Sequence, residues 1–372
     1  TFDDGAKGAF EHGAAELEAA GLKGTFYIFT DTASSYDSEL AGSSLIQEYR
    51  NKGHEIGSHT HNHSNLGHLT ESGDLDSLTG VLSTSVDLLN ERFDQQTFCL
   101  SIPYGSFRYE TTDYISQYFH SARSSQYGFN LSTPYDFYAL RSWSIVSTTP
   151  PSYVSMLVSR ASNYGYYLPL VYFVLTDEPF DEESNLYTYS RELFRETIQE
   201  VSAQDVWIDT HERIYKYIRE RNALKIHQLQ LDDAGAQPGQ FSFEISDGLA
   251  DSVFNVELTL KIRLPQSWNS DYVSLGVGDS LTQTEVLWEA QGDYILYNSI
   301  PVEGRKIQVF EGILAATSVV DKAFLDNNIK LSAYPNPFST ETQIHLEGQL
   351  QAQMQLLLLD VQGRKLMDIA LH

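Results

Sequence analysis

The chain is poor in cysteine, in cations and in long apolar runs, and each shortage narrows what it can be. One cysteine, Cys99, occurs among 372 residues, so no disulfide can form within the chain. Lysine and arginine number 24 against 50 aspartate and glutamate residues, which gives a formal net charge of −26. That charge argues against nucleic acid and anionic membranes as partners, because both require a basic face. No apolar run reaches the roughly 18 residues of a transmembrane helix.

No secretory signal peptide is visible at the start of the sequence. The chain begins at Thr1 rather than at methionine, and this residue already belongs to a motif described below. We therefore expect a fragment that lacks the first part of its N-terminal domain, together with any targeting signal there. Apolar residues make up 41% of the chain, which is enough for a sizeable core. The length fits two or three domains of roughly 100–200 residues.

Short apolar segments alternate with helical patterns over residues 1–225. Strands are predicted at 24–29, 54–58, 97–102 and 166–175, and helices at 7–20, 43–52 and 209–222. In the last of these helices Ile214, Tyr217 and Ile218 share one face. Strands that alternate with helices predict an α/β domain built on a mostly parallel sheet or a barrel.

The pattern changes near residue 226. Alternating apolar and polar residues, separated by glycine, proline, asparagine and aspartate, occur at 241–245, 256–262, 293–297 and 306–310. Such alternation predicts a β-sandwich accessory domain at 226–328. Residues 329–372 contain a proline-rich turn followed by two short strand patterns, which predicts a small all-β domain.

Two segments combine carboxylates with imidazoles. Asp3 and Asp4 are adjacent in the opening Thr-Phe-Asp-Asp-Gly, and neighbours on a strand face opposite ways, so the two can take different roles. If the later His-Thr-His-Asn-His opens a helix, His59 and His63 lie on one face about one turn apart. In an extended segment His61 would share that face and become a ligand candidate instead. Two imidazoles and one carboxylate are a common open ligand set for a catalytic metal.

These motifs resemble those of the polysaccharide deacetylase family, which is carbohydrate esterase family 4. Residues 1–5 and 59–63 resemble its first two signature motifs, and 53–58 resembles the strand that leads into the histidine motif. Residues 100–105 resemble the third motif, and 205–210 with the helix that follows resemble the end of the domain. The resemblance covers residues 1–225 and implies a distorted (β/α) barrel with its site at one mouth.

The resemblance implies a role for each matching residue. Asp4, His59 and His63 match the metal ligands, and the implied metal is zinc, with cobalt, manganese or nickel as alternatives. Asp3 matches the general base that takes a proton from metal-bound water. The backbone N–H of Tyr104 matches a donor that, with the metal, stabilises the oxyanion formed after attack on an acetyl carbonyl.

Other residues complete the predicted site. Pro103, Tyr104 and Trp143 are predicted to contact the substrate. The family's Asp–Trp motif is not clear in this sequence, and Trp143 is either its substitute or an ordinary core or rim aromatic. Thr60 lies beside the ligands, where its hydroxyl is predicted to orient a histidine from outside the ligand set.

Two positions depart from the family pattern. Ser101 stands where the third motif carries an arginine that orients and electrostatically supports the base, and a serine lacks both the charge and the reach. Arg108 and Arg123 are the candidates to replace that arginine in space. Thr176 aligns with the histidine that serves the family as general acid.

The missing acid affects the expected substrate. General acid help contributes typically ~10²–10⁴ in rate, and a departing amine needs it more than a departing alkoxide does. Asp177, Glu178 and His211 are the candidates to supply the proton. The sequence leaves three functions open: an N-deacetylase, an O-acetyl esterase acting on a xylan-like glycan, and a surface protein that binds carbohydrate without turnover.

The C-terminal motifs resemble the sorting domain of type IX secretion. They comprise Tyr-Pro-Asn-Pro-Phe at 334–338, Thr-x-Ile-x-Leu at 342–346 and Leu-Asp-x-x-Gly-Arg at 359–364. The resemblance implies export across the outer membrane by the type IX machinery, and a secreted or cell-surface location. The middle unit carries aromatics that form either a sugar-binding row or an ordinary core: Trp268, Tyr272, Trp288, Tyr294 and Tyr297.

The sequence as a whole predicts a secreted or surface-displayed hydrolase that depends on a metal. It would release acetate from an extracellular acetylated polysaccharide or oligosaccharide, and a glycan of the N-acetylglucosamine type is favoured. The bond broken would then be a carbon–nitrogen bond other than a peptide bond.

Overall fold

The computed structural model describes residues 1–31, 40–181, 185–232, 239–278, 280–287 and 293–312. Beyond these it describes the backbone of four more strands between 330 and 371. The chain divides into two compact units, Thr1–Tyr215 and Lys216–His372. No helix in the described ranges is both long enough and apolar enough to cross a lipid bilayer.

The first unit alternates strands and helices. Its strands are β1 Thr25–Ile28, β2 Glu55–Ser58, β3 Cys99–Ser101, β4 Ser121–Tyr127, β5 Leu140–Ser144, β6 Leu170–Val171, β7 Val174–Thr176 and β8 Thr188–Ser190. Its helices are α1 Ala15–Ala19, α2 Ser43–Asn51, α3 Leu66–Ser72, α4 Leu75–Phe93, α5 Tyr109–Ile115, α6 Pro151–Tyr164 and α7 Arg191–Ser202. A further helix, α8 His211–Ala223, begins in this unit.

The first six strands form one parallel sheet in the order β1-β2-β3-β4-β5-β6. Phe2 bridges in parallel to both Phe26 and Tyr172, so the opening segment lies between β1 and the residues that follow β6. The result is a parallel, six-stranded α/β half-barrel, which confirms the predicted class. The carboxyl ends of all six strands meet at one edge, where ligand sites of such sheets form.

The two faces of the sheet have different chemistry. Leu100, Ile102 and Ala122 lie in a buried apolar cluster with residues of α4 and α5, so they face the helices. Side chains alternate along a strand, and Ser101 and Arg123 therefore point to the opposite, inner face. Both are buried, at 0% and 1% exposure, so the inner face is lined by polar groups that need partners.

The first predicted helix, 7–20, begins with a π-helical stretch, Ala9–Ala14, before it continues as α1. Gly13 lies against the ring of Phe2, where an added Cβ would come within 2.6 Å of a ring atom. A helix can pack directly onto the opening segment only because this residue has no side chain. The packing fixes the segment that carries Asp3 and Asp4.

The strand predicted at 166–175 is divided into β6 and β7. The first part completes the large sheet, whereas the second pairs with β8 in a separate parallel pair. Residue Tyr172, between them, bonds to the opening segment: its N–H donates to the Thr1 carbonyl, and its carbonyl accepts from Asp3 N–H. The prediction was wrong here because both halves are equally apolar and the change of partner is not encoded locally.

The second unit is built from antiparallel sheets. Its strands are β9 Lys225–Asp232, β10 Gln240–Ser246, β11 Leu258–Arg263, β12 Tyr272–Val277, β13 Ser280–Glu285, β14 Tyr294–Ser299, β15 Arg305–Glu311, β16 Lys330–Ala333, β17 Ile344–Glu347, β18 Met354–Leu359 and β19 Lys365–Leu371. They form a five-stranded sheet, β13-β12-β15-β10-β9, a four-stranded sheet, β14-β11-β18-β19, and the pair β16-β17. The predicted β-structure of this part of the chain is confirmed as antiparallel sheets, and its arrangement as a β-sandwich stays a prediction.

The domain boundaries at 225/226 and 328/329 stay predictions. Strand β18, from the predicted third domain, pairs with β11 of the predicted second domain. Most of the residues that carry the sorting-domain motifs, including 334–338 and 360–364, lie outside the described residues. Trp268 packs against Phe241 at 5.6 Å between ring centroids, while Trp288 lies outside the described ranges.

Candidate metal centre

The adjacent carboxylates Asp3 and Asp4 diverge at the carboxyl edge of the sheet. Asp3 is 5% exposed and turns to the inner face, where it meets Arg123 and Ser101. Asp4 adopts a left-handed backbone conformation, with φ of 67°, and its side chain is 41% exposed. This backbone reversal separates the two side chains, so each has its own set of partners.

Asp4 meets two imidazoles. Its Oδ1 lies 3.3 Å from Nε2 of His59 and 3.4 Å from Nε2 of His63. The two imidazole rings are 4.8 Å apart between centroids. One atom from each side chain can be chosen so that all three lie within 4.8 Å of one another, a spacing at which a single cation can contact all three.

The histidine segment is a turn rather than the helix considered from the sequence. Residues Thr60 and His63 have φ values of 68° and 58°, so the chain reverses twice and brings His59 and His63 together without helical spacing. His61 points away, and its Nδ1 lies 2.9 Å from the Thr30 hydroxyl. The helical interpretation was wrong because positive φ values in non-glycine residues cannot be read from the spacing of residues. The two histidines that it paired, His59 and His63, nevertheless converge.

The hydrogen bonds of His59 fix which of its nitrogens faces Asp4. Its Nδ1 lies 2.7 Å from the backbone carbonyl of Ser101, and a carbonyl only accepts, so Nδ1 carries the proton and donates. In a neutral imidazole Nε2 then presents a lone pair to an oxygen of Asp4. A neutral His59 thus offers a lone pair to a cation held at the Asp4 oxygen 3.3 Å away, whereas a protonated His59 would donate from Nε2 to that oxygen. The donor set therefore fits a divalent metal.

His63 is oriented in a comparable way by a tyrosine. Its Nδ1 lies 3.0 Å from the phenol oxygen of Tyr104, which can accept from it when Nε2 is kept for a metal. Tyr104 stands in a short 3₁₀ turn, Pro103–Gly105, with a φ of 58°. Pro103 is buried and shapes that turn, whereas Tyr104 is 66% exposed at the mouth of the site.

The charges of the cluster are coupled. Burial tends to raise the pKa of Asp4, but its hydrogen bond to His59 and the neighbouring positive charges outweigh burial, and the pKa lies below its usual value. Burial tends to lower the pKa of His59, and Asp3 and Asp4 reverse this, so the pKa is raised. Burial, followed by the charge of His59, lowers the pKa of His63. The carboxylate is held ionised, as a metal ligand must be.

Asp3 is held by two groups from neighbouring strands. Arg123 Nη2 forms a buried ion pair with its Oδ1, and the Ser101 hydroxyl donates to its Oδ2 at 3.1 Å. Ser101 on β3 and Arg123 on β4 are register partners, so the arginine reaches the carboxylate from the adjacent position of the next strand. Of the two candidates considered from the sequence, the structure selects Arg123, since Arg108 pairs with Glu71.

The hydrogen bonds of Ser101 and Thr60 differ from those that the sequence predicted. Ser101 does reach Asp3, through its hydroxyl, although it supplies no charge. The Thr60 hydroxyl is buried and has no hydrogen-bond partner among the described residues. The groups that orient the histidines are the Ser101 carbonyl and the Tyr104 phenol instead.

Trp143 lies on the outer face of β5, beside α6. It packs against Tyr153 of that helix at 6.2 Å and against Tyr127 at 5.2 Å between ring centroids. Ile145, on the same face of the strand, belongs to one buried cluster with Val154 of α6. Trp143 therefore occupies a rim position, which the sequence left open as the alternative to contact with the substrate.

Two of the three candidates for the general acid, His211 and Asp177, are engaged elsewhere, and the third, Glu178, is exposed. His211 is buried at the amino ends of the strands, with Nδ1 2.6 Å from the Tyr27 hydroxyl and Nε2 2.7 Å from the Ser121 hydroxyl. Asp177 accepts from Arg191 at 3.0 Å. Thr176 accepts through its hydroxyl from Glu178 N–H. The described contacts of these residues do not include the Asp4 cluster.

Sequence reasoning named Arg123 as one of two candidate supports for Asp3 without choosing between them, and it missed how His63 is oriented. One signal for Arg123 was available, since a charged residue inside the segment Ser-Ala-Arg-Ser-Ser must be paired if the strand is central. The choice of Arg123 over Arg108 as the partner of Asp3 was not indicated, because the pairing depends on the register of β3 and β4. The Tyr104 phenol had no local signal at all.

Comparison with known proteins adds to this geometry. Residues 1–121 match the family model of the polysaccharide deacetylases. A gellan lyase from Bacillus sp. is 24% identical over 309 residues, which is 77% of this chain and 12% of that protein. This chain therefore spans a small part of the lyase's length.

Two solved structures show partial likeness. The Streptococcus pyogenes deacetylase PplD in complex with acetate is 19% identical, with a TM-score of 0.36 over 39% of this chain and 62% of that chain. The Xyl-CE4 domain of a multidomain xylanase from the hindgut metagenome of Trinervitermes trinervoides is 14% identical, with a TM-score of 0.38 over 58% of this chain and 87% of that chain.

The family match and the geometry concern the same residues. The matched range contains Asp3, Asp4, His59, His63 and Tyr104, all of which the structure places at one edge of the sheet. Proteins of this family are typically metal-dependent hydrolases. The chain therefore carries at its N-terminus a polysaccharide deacetylase domain of carbohydrate esterase family 4.

Proposed function

We propose that this chain is a metal-dependent deacetylase that removes acetyl groups from an extracellular polysaccharide or oligosaccharide, with an N-acetylglucosamine-type glycan as the favoured substrate. The observation that carries the proposal is the pairing of two differently held carboxylates. Asp4 faces two imidazoles and is partly open to solvent, whereas Asp3 is buried and held by Arg123 and Ser101.

Different residues of the site are proposed to bind the metal and to accept the proton. Asp4, His59 and His63 would hold a divalent metal, and zinc suits two imidazoles and a carboxylate best. When bound, such a metal supplies Lewis acidity, which lowers the pKa of water and polarises an acyl oxygen. Asp3 accepts a proton, and its ion pair with Arg123 holds the carboxylate pointed in one direction.

Tyr104 has two proposed roles. Its backbone N–H is the proposed donor to the oxyanion, and the positive φ of the residue sets the direction of that peptide group. Its phenol orients His63 and stands exposed at the mouth, where a sugar ring can pack on it.

One observation favours an O-acetyl esterase on a xylan-like glycan as the second candidate. The position of the family's acid is Thr176, and its neighbour Asp177 is paired with Arg191. An ester needs less help from an acid than an amide does, so this arrangement lowers the rate on amides more.

Acetate release tests the proposal. The purified protein would be given acetylated chitooligosaccharides and acetylated xylan, as prepared, after chelation, and after zinc or cobalt is added back. We expect acetate that depends on metal from at least one polymer, and the preferred polymer identifies the bond. No acetate from either polymer, with metal bound, contradicts the proposal and leaves carbohydrate binding without turnover as the reading of the site.

His61 supplies a matched control for the metal ligands. His63→Ala should abolish stoichiometric zinc binding in calorimetry, whereas His61→Ala, in the same turn, should retain it because His61 contacts Thr30. Equal loss in both variants would contradict the assignment of ligands.

Location is part of the proposal and rests on sequence motifs alone. We propose that residues 329–372 direct export through the type IX machinery to the surface or the medium. Fractionation of cells that express the full protein with and without these residues tests this. Retention of both forms inside the cell would contradict it.

A further inference from the structure

The outer wall of the sheet is not covered by a helix between β4 and β5. The neighbouring connections contain α5, between β3 and β4, and α6, between β5 and β6. Residues 128–139, all of them described, connect β4 to β5 without a helix. The carboxyl end of β4 is therefore open to solvent: Tyr127 is exposed, and Trp143 of β5 is half-buried.

Six aromatic side chains occupy this wall, and we call them the outer aromatic surface: Tyr127, Phe129, Trp143, Tyr153, Tyr164 and Tyr166. Trp143 is in ring contact with Tyr127, Phe129 and Tyr153, at 5.2, 5.9 and 6.2 Å between centroids. Phe129 contacts Tyr166 at 5.3 Å, and Tyr166 stacks on Tyr164 at 5.7 Å. The surface is continuous from one contact to the next.

Much of the outer aromatic surface is open to solvent. Tyr127 is 57% exposed and Tyr164 is 68% exposed. Tyrosine and tryptophan combine an apolar ring with a polar tip, which suits a ligand that alternates C–H and hydroxyl groups. Sugar rings have this alternation, because one side of the ring presents C–H bonds while its rim carries hydroxyls.

Two arginines border the same surface. The Arg160 guanidinium lies 5.3 Å from the centroid of the Phe129 ring. Arg141 packs on Gly128, where an added Cβ would come within 2.6 Å of its Cδ, so the two cations flank consecutive residues of one loop. Within the described ranges neither arginine has a carboxylate at ion-pair distance. Two such cations stand out in a chain with a net charge of −26.

We propose that the outer aromatic surface, together with Arg141 and Arg160, binds a polysaccharide that carries carboxylate groups. The rings stack on the sugars, and the planar guanidinium groups pair with their carboxylates in bidentate fashion. This site uses none of the groups of the metal centre and needs no metal. It therefore goes beyond the deacetylase reaction and holds an acidic glycan on the wall of the domain.

Binding by the full chain tests the proposal, with polygalacturonate and alginate as probes. Highly methyl-esterified polygalacturonate has the same backbone without the charges, and polyglutamate has the charges without the sugar rings. Calorimetry and affinity electrophoresis should show binding of at least one acidic polymer and little binding of the ester or of polyglutamate. Salt should weaken the binding, because the guanidinium groups are exposed.

Variants locate the site. The double variant Arg141→Gln/Arg160→Gln should lose tenfold or more in affinity, since it removes both charge-assisted pairs with the carboxylates of the polymer. Tyr164→Ala should weaken binding by roughly fivefold through loss of ring contact. Arg219→Gln is the matched control, because Arg219 lies 5.8 Å from the Phe254 ring in the second unit. It should bind like the parent protein.

Several outcomes would overturn the proposal: no binding of either acidic polymer, equal binding of the methyl ester or of polyglutamate, or a double variant that binds like Arg219→Gln. Asp3→Asn should bind polygalacturonate like the parent, and Arg141→Gln/Arg160→Gln should release acetate from a short acetylated oligosaccharide at the parent rate. Failure of this proposal and failure of the deacetylase proposal are thus distinguishable.

Discussion

The two units differ in where their backbone is strained. Among the described residues, six non-glycine residues have positive φ: Asp4, Thr60, His63, Asp94, Tyr104 and Gln228. Five lie in the first unit, and four of those form or adjoin the metal centre. Such conformations cost roughly 1–3 kcal/mol each and persist where the surroundings enforce them. The first unit concentrates strain at a site, whereas the second has a single such residue in a strand.

Buried charge is also handled differently in the two units. In the first, Arg123 and Asp3 neutralise each other across strands. In the second, Glu220 accepts from the backbone N–H of Val256, and the ammonium group of Lys261 lies 3.9 Å from the centroid of the Tyr294 ring. Charges of the first unit depend on each other, so a change in one disturbs the chemistry. Glu220 lies outside the cluster around Asp4, so a change there should affect stability alone.

Replacing Asp3 should have the largest effect of the changes considered, and the effect should be on the rate of acetate release. Asp3→Asn should lower acetate release by roughly 10²–10⁴-fold, the typical contribution of a positioned base. Asp247→Asn is the control, a buried carboxylate of the second unit that accepts from Leu249 N–H. It should leave the rate unchanged. Similar rates in the two variants, measured at equal zinc occupancy, would mean that Asp3 is not the base.

Loss of the ion pair between Arg123 and Asp3 should have the next largest effect, on the stability of the first unit. Arg123→Ser leaves the Asp3 charge buried without its partner, and such a loss costs about 3–5 kcal/mol. The double variant Ser101→Arg/Arg123→Ser moves the arginine from β4 to its register partner on β3. This exchange should recover most of the stability and of kcat, with KM little changed. Denaturant unfolding and steady-state kinetics measure both quantities.

An exposed arginine provides the reference for that experiment. Arg108→Gln, which breaks the exposed pair with Glu71, should cost no more than about 1 kcal/mol. If the exchange variant stays as unstable and as slow as Arg123→Ser, the two positions are not equivalent supports for the base.

Acid should destabilise the first unit through His211. Burial, and then the charge of Arg123, lowers the pKa of His211 from 6.5 to about 3. The folded state resists protonation, so this contribution is present above pH 6.5 and is lost as the pH falls towards 3, by up to about 1.4 kcal/mol for each pH unit. Hydrogen exchange of peptides from Thr1–Tyr215 between pH 4 and 7 should show the slope.

The variant His211→Gln isolates that contribution. It should be less stable at pH 7, because it loses the contacts with Tyr27 and Ser121, yet its stability should fall less steeply with acid. His68→Gln, on an exposed helix surface, should keep the parent slope. A parent-like slope in His211→Gln would refute the assignment.

Glu220 of the second unit should have the smallest effect, and its pH dependence is opposite to that of His211, since its contribution to stability is lost as the pH rises. Burial raises the pKa of Glu220 from 4.5 to about 7. The folded state prefers the protonated acid, so its contribution is complete below pH 4.5 and is lost as the pH rises towards 7. Glu220→Gln should therefore gain stability over the parent at pH 8 but not at pH 4, as followed by exchange of peptides from 216–312. An equal difference at both pH values would contradict this.

Much of the first unit could be predicted from periodicity. The predictions at 24–29, 43–52 and 54–58 correspond to β1, α2 and β2 within one or two residues at each end. These segments are local, and their apolar spacing reflects one buried face each. The prediction at 166–175 failed because its two halves bond to different neighbours.

In the sequence by itself, the resemblance of its motifs marks Asp4, His59 and His63 as the donors, although spacing alone left His61 open, and these three residues do meet at the candidate metal centre. It also indicated that the missing arginine of position 101 needed a substitute. Only the tertiary structure decided that Arg123 is the substitute, that a turn rather than a helix joins the histidines, and that Trp143 faces the outer wall. The physical reason is that strand register and left-handed backbone conformations are set by contacts between segments distant in the chain, and local spacing does not contain them.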